Sequence, residues 1–188
     1  DNQDFEKYLE TINRQIKDIE NLVNEFSNFA RMPRPIFKKI NIIEIVNRSI
    51  EFTKMTSKNL INFETSEKKL LIHGDSEQLN RVFINLIKNS EESFLDKTKK
   101  TKGFKGKIDI EIISNNDYIV VKLEDNGSGI SNIKKVMTPY YTTKINGTGL
   151  GLPIVSKIIN EHSGDFNINN RRDDKGVVVE ISFPKLNA

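Results

Sequence analysis

Residues 76–94 read SEQLNRVFINLIKNSEESF, and this stretch sets the fold that the rest of the chain has to complete. Its apolar residues recur every three or four positions, which predicts an amphipathic helix with one face turned inward. Asn85 and Asn89 are four residues apart and therefore share one face of that helix. Asparagine is unfavourable in mid-helix, so the pair indicates a purpose other than helix formation. The inward positions are Leu79, Val82, Phe83, Leu86 and Ile87.

The flanking sequence supplies a second layer for this helix. Apolar residues follow helical spacing again at 41–56 and 150–161. Helices interspersed with antiparallel-type strands predict an α/β (α+β) two-layer sandwich. Strands are predicted at 59–65, 69–73, 107–113, 118–124, 165–169 and 177–183.

The first thirty residues predict one long helix with an uninterrupted heptad seam. A strict period of 3.5 favours a dimeric helical stem over the alternative, a surface helix that lies on the domain. Pro33 and Pro35 end this helix, so we expect a stem at 1–32 and a separate domain at 36–186. The seam consists of Phe5, Leu9, Ile12, Ile16, Ile19, Val23, Phe26 and Ala30.

Composition excludes several classes of protein. The net charge of +3 is small for a nucleic-acid binder, and the absence of cysteine rules out disulfides and thiolate metal sites. No apolar run is long enough to span a bilayer. The lysines between 97 and 107 predict a solvated loop, with contact to an acidic partner as the alternative.

Three polar clusters carry the chemistry, and the first is NLIKN at 85–89. An amide oxygen is a hard, neutral ligand for magnesium, and it leaves the ion free to hold phosphates and water. Taken alone, Asn85 and Asn89 have an alternative structural interpretation as a buried, hydrogen-bonded pair.

The second cluster is EDNGSG at 124–129, after an apolar strand. Gly127 and Gly129 let the backbone turn sharply and approach a flat ligand. Asp125 could then accept a hydrogen bond from an exocyclic amine such as that of adenine. The alternative is a plain turn.

The third cluster is GTGLGL at 147–152, directly before a predicted helix. Free backbone N–H groups and the helix dipole at such a start favour phosphate binding. The cluster lacks the Gly-Lys-Ser/Thr of a P-loop, and it lacks the strand and acidic residue of a dinucleotide site.

In this order and spacing, the clusters resemble the N, G1 and G2 boxes of the GHKL (Bergerat-fold) ATPase superfamily. Within it, PYYTTK at 139–144 is similar to the lid of nitrogen-regulation sensor histidine kinases. The stem segment EFSNFARMP at 25–33 resembles the second dimerisation helix of the NtrY type.

The resemblance implies a role for each matching residue. Asp125 would bind the adenine amino group, with Gly129 closing over the ring, and Asn89 would coordinate Mg2+. The segment 131–146 would be a lid whose Lys144 meets the γ-phosphate of ATP. Asn85 and Lys144 would be catalytic, and the nucleotide-binding set would be Asn85, Asn89, Asp125, Gly127, Gly129, Thr143, Lys144, Gly147, Thr148, Gly149, Leu150 and Gly151.

Departures from the family pattern are informative. Met137 replaces the usual F-box phenylalanine, and Val177 replaces a threonine that lies near adenine in many relatives. Asn85 stands where the hydrolytic relatives carry a glutamate, and an amide cannot act as a general base. This favours phosphoryl transfer; a GHKL hydrolase, an anti-sigma-like serine kinase and a non-catalytic nucleotide-gated module are the alternatives.

The two histidines, His73 and His162, lack the context of a phosphoacceptor. We interpret both as structural, and at His162 a cation would be favoured by a helix C-terminus. The resemblance therefore implies an acceptor helix upstream of Asp1 and a response regulator as onward acceptor. It also implies a homodimer through the N-terminal helix and a cytoplasmic location, with membrane attachment only through segments outside this sequence.

Overall fold

A five-stranded sheet with helices on one face forms the body of the protein, which confirms the predicted two-layer sandwich. The computed structural model describes residues 2–30, 32–57, 59–144, 147–172 and 176–186. The helices are α1 (Asn2–Ala30), α2 (Ile42–Lys54), α3 (Ser76–Lys100), α4 (Ile133–Val136) and α5 (Gly151–Glu161). The strands are β1 (Lys38–Asn41), β2 (Leu60–Thr65), β3 (Leu71–Gly74), β4 (Lys107–Ser114), β5 (Tyr118–Asp125), β6 (Asp165–Asn170) and β7 (Val177–Pro184).

The sheet order is β2-β4-β5-β7-β6, and β1 and β3 form a separate two-stranded sheet. β2 runs parallel to β4, and the other neighbouring strands are antiparallel. Side chains alternate between the faces of a strand, so every second residue of β4, β5 and β7 points into the core. α2, α3 and α5 cover that face with their own apolar residues, while the opposite face stays polar and open.

The same alternation buries a charged residue. In β5, the inward row is Ile119, Val121, Leu123 and then Asp125, which is only 3% exposed. The carboxylate therefore lies beneath the helices at the end of the central strand.

The predictions missed two short elements and one helix end. β1 and α4 were not predicted, because four residues give too little periodicity to recognise. The predicted lysine-rich loop is wrong in its first part, since α3 continues to Lys100. In this part of α3, the Nζ of Lys97 donates to the carbonyl oxygen of Asn126 at 2.6 Å. The same Nζ lies 5.0 Å from the centre of the Phe104 ring, so both contacts hold the Lys97 side chain in place.

The heptad seam of α1 is exposed. From Phe5 to Phe26 its seam side chains are between 43% and 62% exposed, so the domain of this chain leaves most of the seam surface uncovered. The side chain of Ala30, the last seam position, lies outside the described residues. Phe26 stacks on Tyr140 with the ring centres 6.5 Å apart. In the part of the chain that the structure describes, no helix has the length and apolar character to cross a membrane.

Asp75 binds the linker between α1 and β1 (residues 32–37) to the domain. One carboxylate oxygen accepts the backbone N–H groups of Glu77 and Gln78 and so caps α3, and the other accepts the N–H of Ile36 at 2.7 Å. Burial acts to raise the pKa of Asp75, but these backbone donors outweigh it and the pKa is lowered from 3.8. Gln78 also holds the carbonyl of Pro33 at 2.9 Å. The linker is therefore docked on the N-terminus of α3.

His162 connects the same point to α5. It is 4% exposed, its Nε2 accepts the backbone N–H of Asp75 at 2.9 Å, and its Nδ1 lies 2.7 Å from the carbonyl oxygen of Ile158. Nε2 can accept only in the neutral ring. Burial also lowers the pKa of His162 below 6.5. The cationic form expected from the helix dipole is therefore not the form that this site favours.

Acid should destabilise the fold through His162. Its pKa is lower in the folded state than in the unfolded state, so the unfolded chain binds more protons below pH 6.5. The free energy of unfolding should be constant just above that pH and fall as pH drops from it towards the folded pKa. Asp75 adds a loss in the same direction only below pH 3.8. Urea titrations over a pH series measure both.

His162→Gln should flatten the loss just below pH 6.5 and lower the free energy of unfolding at neutral pH by about 1–2 kcal/mol, because buried hydrogen bonds are weakened. His73→Gln, at an exposed position in β3, is the matched control and should keep most of the pH dependence, because the His73 charge is the smallest of the causes that shift the pKa of His162. A pH dependence that survives His162→Gln unchanged would contradict this assignment.

Candidate functional site

The three predicted clusters meet around α3. Ser90, one residue after Asn89, donates its hydroxyl to Oδ2 of Asp125 at 2.9 Å, which joins the N and G1 boxes. A Cβ added to Gly151 would lie 3.9 Å from Nδ2 of Asn89, which places the start of α5 opposite the same helix. The helix thus contacts both glycine-rich segments.

Asp125 is held by three donors. Besides Ser90, its Oδ1 accepts the backbone N–H of Gly127 at 2.8 Å and that of Val177 at 3.2 Å. A buried carboxylate needs such partners, because burial without hydrogen bonds is costly. The carboxylate is therefore fixed in one orientation, which the predicted contact with an adenine amine would require.

The G1 glycines are required by close approach and by backbone conformation. A Cβ at Gly127 would lie 1.8 Å from the Oγ and 2.9 Å from the Cβ of Ser93 on α3, so any larger residue would have to displace Ser93. Gly129 has a φ of +76°. Just after it, Asn170 accepts the N–H of Ile130 at 2.7 Å and donates to its carbonyl oxygen at 2.8 Å, which anchors the entry to the lid.

The G2 box receives the other end of the lid. Gly149 has a φ of +69°, and a Cβ there would lie 2.6 Å from the carbonyl carbon of Tyr140. The N–H of Tyr140 also donates to the carbonyl oxygen of Gly149 at 3.2 Å. Leu150 is fully buried in the core, so only its backbone is available to a ligand. The lid therefore folds directly onto the backbone of the G2 box.

Lys144 brings the lid to α3. Its ammonium group donates to Oδ1 of Asn89 at 3.1 Å and forms a salt bridge with Glu92. Both partners are oxygens on one face of α3. In this arrangement a positive charge lies against the amide oxygen for which the sequence predicts a magnesium ion.

Other predicted site residues are placed less centrally. Asn85 is half-buried one helical turn before Asn89, and Thr143 is exposed on the lid. Gly147 packs against Thr142, since an added Cβ would lie 2.5 Å from its Oγ1. The end of the predicted lid, Ile145 and Asn146, lies outside the described residues.

Sequence reasoning missed Ser90, Glu92 and Asn170. Ser90 lies on the apolar stripe of α3, where a small hydroxyl residue gives no signal of its own. Glu92 was recognisable, because positions 85, 89 and 92 share one helix face. Asn170 contacts the lid only through the fold of the chain.

The residues present fit a nucleotide and a shared metal ion. Within the described ranges, no group of three or more His, Cys, Asp or Glu side chains could hold a metal by itself. Mg2+ is commonly bound by one or two protein oxygens together with substrate phosphates. Asn89 Oδ1 offers such an oxygen and already attracts a cation, Lys144, while the start of α5 faces it.

A separate groove of about 590 Å3 lies between the lid and α5, lined by Met137, Pro139 and one face of the helix. Asp125 and Asn89 are not among its lining residues. We therefore distinguish it from the cluster around α3.

Comparison with known proteins agrees with this layout. Residues 74–187 match the family of histidine kinase-, DNA gyrase B- and HSP90-like ATPases. The NtrY-like sensor histidine kinase of Rickettsia felis is 37% identical over 184 residues, which cover 96% of this chain and 30% of that protein. The chain thus spans about a third or less of the length of such curated relatives.

Solved structures of the histidine kinase ThkA have the same fold. Its nucleotide-free catalytic domain superposes with a TM-score of 0.66 at 31% identity, covering 80% of this chain and 96% of that one. A ThkA structure in complex with the response regulator TrrA has a TM-score of 0.71 at 26% identity, over 96% of this chain and 51% of that one.

The match over residues 74–187 includes the whole N box at 85–89 and both glycine boxes, and the relatives match the stem as well. The chain therefore belongs to the histidine kinase-, DNA gyrase B- and HSP90-like ATPase family, and within it is a homologue of NtrY-like sensor histidine kinases.

Proposed function

We propose that this chain is the ATP- and magnesium-binding catalytic part of a two-component sensor histidine kinase. It donates the γ-phosphoryl group of ATP to a histidine outside this sequence, for onward transfer to an aspartate of a response regulator. The observation that carries the proposal is the joining of Asp125, Asn89 and Lys144 through α3.

Each part of the site has a chemical task in this proposal. Asp125 accepts the adenine amine, and the backbone N–H groups around Gly149 and Gly151 hold the phosphates. A magnesium ion bound at Asn89 would neutralise charge on the phosphates. In the transfer, the bond between the γ-phosphorus and the bridging oxygen breaks, a phosphorus–nitrogen bond forms on the acceptor imidazole, and ADP leaves.

Asn85 favours transfer over hydrolysis. An amide at this position cannot take a proton from water, whereas a positioned imidazole is itself the nucleophile. Glu77 is no substitute, since it is exposed and pairs with Arg48 at 2.7 Å. A GHKL hydrolase or an anti-sigma-like serine kinase remains the alternative, and neither accounts for the heptad stem.

The proposed binding partners of this chain are inferred from the exposed surface of α1 and from the relatives. Its exposed apolar seam supports a homodimer of helical stems, with the acceptor helix of the full-length kinase in the same bundle. The complex of the neighbour ThkA with a response regulator supports a partner of that kind. By the NtrY resemblance, we place this part in the cytoplasm of a protein anchored in the inner membrane.

Asp125→Asn should weaken ADP binding at least about tenfold, because an amide presents a donor where the carboxylate accepts. Isothermal titration calorimetry with ADP and Mg2+ measures the affinity. Asp109→Asn is the matched control: this carboxylate lies on the open face of the sheet, bonded to Asn62 and Lys107, and should leave affinity unchanged. An unchanged affinity for Asp125→Asn would refute the proposed base site.

The chain should bind MgATP without phosphorylating itself. His162 is buried with both ring nitrogens in contact with the backbone, and His73 lies in β3 beside Phe37. Incubation with γ-labelled ATP should therefore give no acid-labile, alkali-stable label on this chain. A longer chain with the upstream acceptor helix should acquire it, and labelling of the present chain would contradict the assignment of both histidines.

The stem should drive self-association. Ile16→Asp puts a charge into the exposed seam and should shift the chain to monomer in sedimentation equilibrium, because a coiled-coil core excludes unpaired charge. Arg14→Asp, on the same helix but off the seam, should leave association intact. A wild-type chain that is monomeric at micromolar concentration would overturn the stem dimer.

A further inference from the structure

Glu92 is a charged residue at the site to which the proposed function gives no role. It lies on the face of α3 that carries Asn85 and Asn89, at successive spacings of four and three residues. Its carboxylate and the Asn89 amide oxygen both contact the ammonium of Lys144. Two oxygens from one helix therefore hold one cation between them.

We propose that Glu92 is the second protein oxygen of the magnesium position, and that Lys144 is the cation that occupies this position until the metal and nucleotide arrive. The inference rests on the proposed function, because it assigns a further residue to the same site. It goes beyond the family resemblance, which gives the metal to Asn89 and Lys144 to the γ-phosphate without assigning Glu92.

The surroundings of Glu92 suit exchange of one cation for another. The side chains of Glu92 and Lys144 are 35% and 37% exposed, so a metal ion can reach their ion pair from the solvent. A half-exposed ion pair is stabilised only weakly, because solvent screens it, and a ligand can therefore break it. The Nζ of Lys88 lies 3.9 Å from Oε1 of Glu92, and the Lys88 side chain is mostly exposed. Lys88 therefore competes only weakly with Lys144 for the Glu92 carboxylate.

The negative charge of Glu92 should have opposite effects on nucleotide affinity in the absence and in the presence of Mg2+. A carboxylate beside the phosphates repels them when no cation lies between, and attracts the complex when a divalent cation does. Glu92 should therefore hinder nucleotide binding without Mg2+ and favour it with Mg2+. If Glu92 served only to hold Lys144, its removal would change both affinities by the same factor.

The experiment measures the affinity for ADP with Mg2+ and with excess EDTA, by calorimetry on the purified chain. ADP is the probe because it lacks the γ-phosphate that Lys144 would contact. The quantity of interest is the magnesium enhancement, defined as the affinity with Mg2+ divided by the affinity without it.

Glu92→Gln should reduce the magnesium enhancement by about tenfold, the scale on which metal-supporting groups act. Lys144→Gln should raise or preserve the enhancement, because it removes the competing cation. Glu92→Gln/Lys144→Gln should behave like Glu92→Gln alone. Glu77→Gln on the same helix, an exposed carboxylate paired with Arg48, is the matched control and should match the wild type.

An unchanged enhancement in Glu92→Gln, or equal changes with and without Mg2+, would overturn the proposal. Thermal melting of each variant checks that it is folded. These outcomes are separate from failure of the proposed function, in which the wild-type chain would not bind ADP at all and Asp125→Asn would make no difference.

Discussion

The buried carboxylate of Asp125 is the constraint on which the site depends. Alternation along β5 leaves it on the helix-covered face, where an unpaired charge would cost several kcal/mol or more. Its three donors come from α3, from the turn after β5 and from the start of β7. Satisfying one carboxylate therefore fixes the relative positions of three segments, and these segments surround the proposed adenine position.

α3 transmits this constraint to the phosphate end of the site. Its apolar stripe fills the core and includes Ser90, while the adjacent face carries Asn89 and Glu92. Because Asn89 and Ser90 are consecutive residues of one helix, the Ser90 contact with Asp125 and the Asn89 contact with Lys144 are mechanically linked. The hydrogen bond from the backbone N–H of Asp75 to Nε2 of His162 holds the N-terminus of α3 against the C-terminus of α5.

Sequence predicted those parts of the molecule that depend on local pattern. The layer architecture, α3, the strands from β4 to β7 and the three polar clusters followed from periodicity and glycine spacing, with end shifts of one residue for those strands. β1 exists only because β3 lies beside it, and the last turns of α3 are held by Phe104 and Asn126, which follow later in the chain. The neutral state of His162 depends on burial, which no local pattern reveals. Glu92 was visible in the helical spacing, but the sequence did not indicate that Lys144 would reach it.

Val177 departs from the family pattern, and another residue of the chain supplies the hydroxyl that it lacks. Val177 stands where many relatives carry a threonine, and its side chain offers no hydroxyl to the base site. Its backbone N–H still binds Oδ1 of Asp125, and the hydroxyl on the other oxygen comes from Ser90 on the opposite layer. The carboxylate thus keeps a hydroxyl partner although β7 supplies none. The hydrogen bonds of Asp125 therefore join its own strand to α3 as well as to β7.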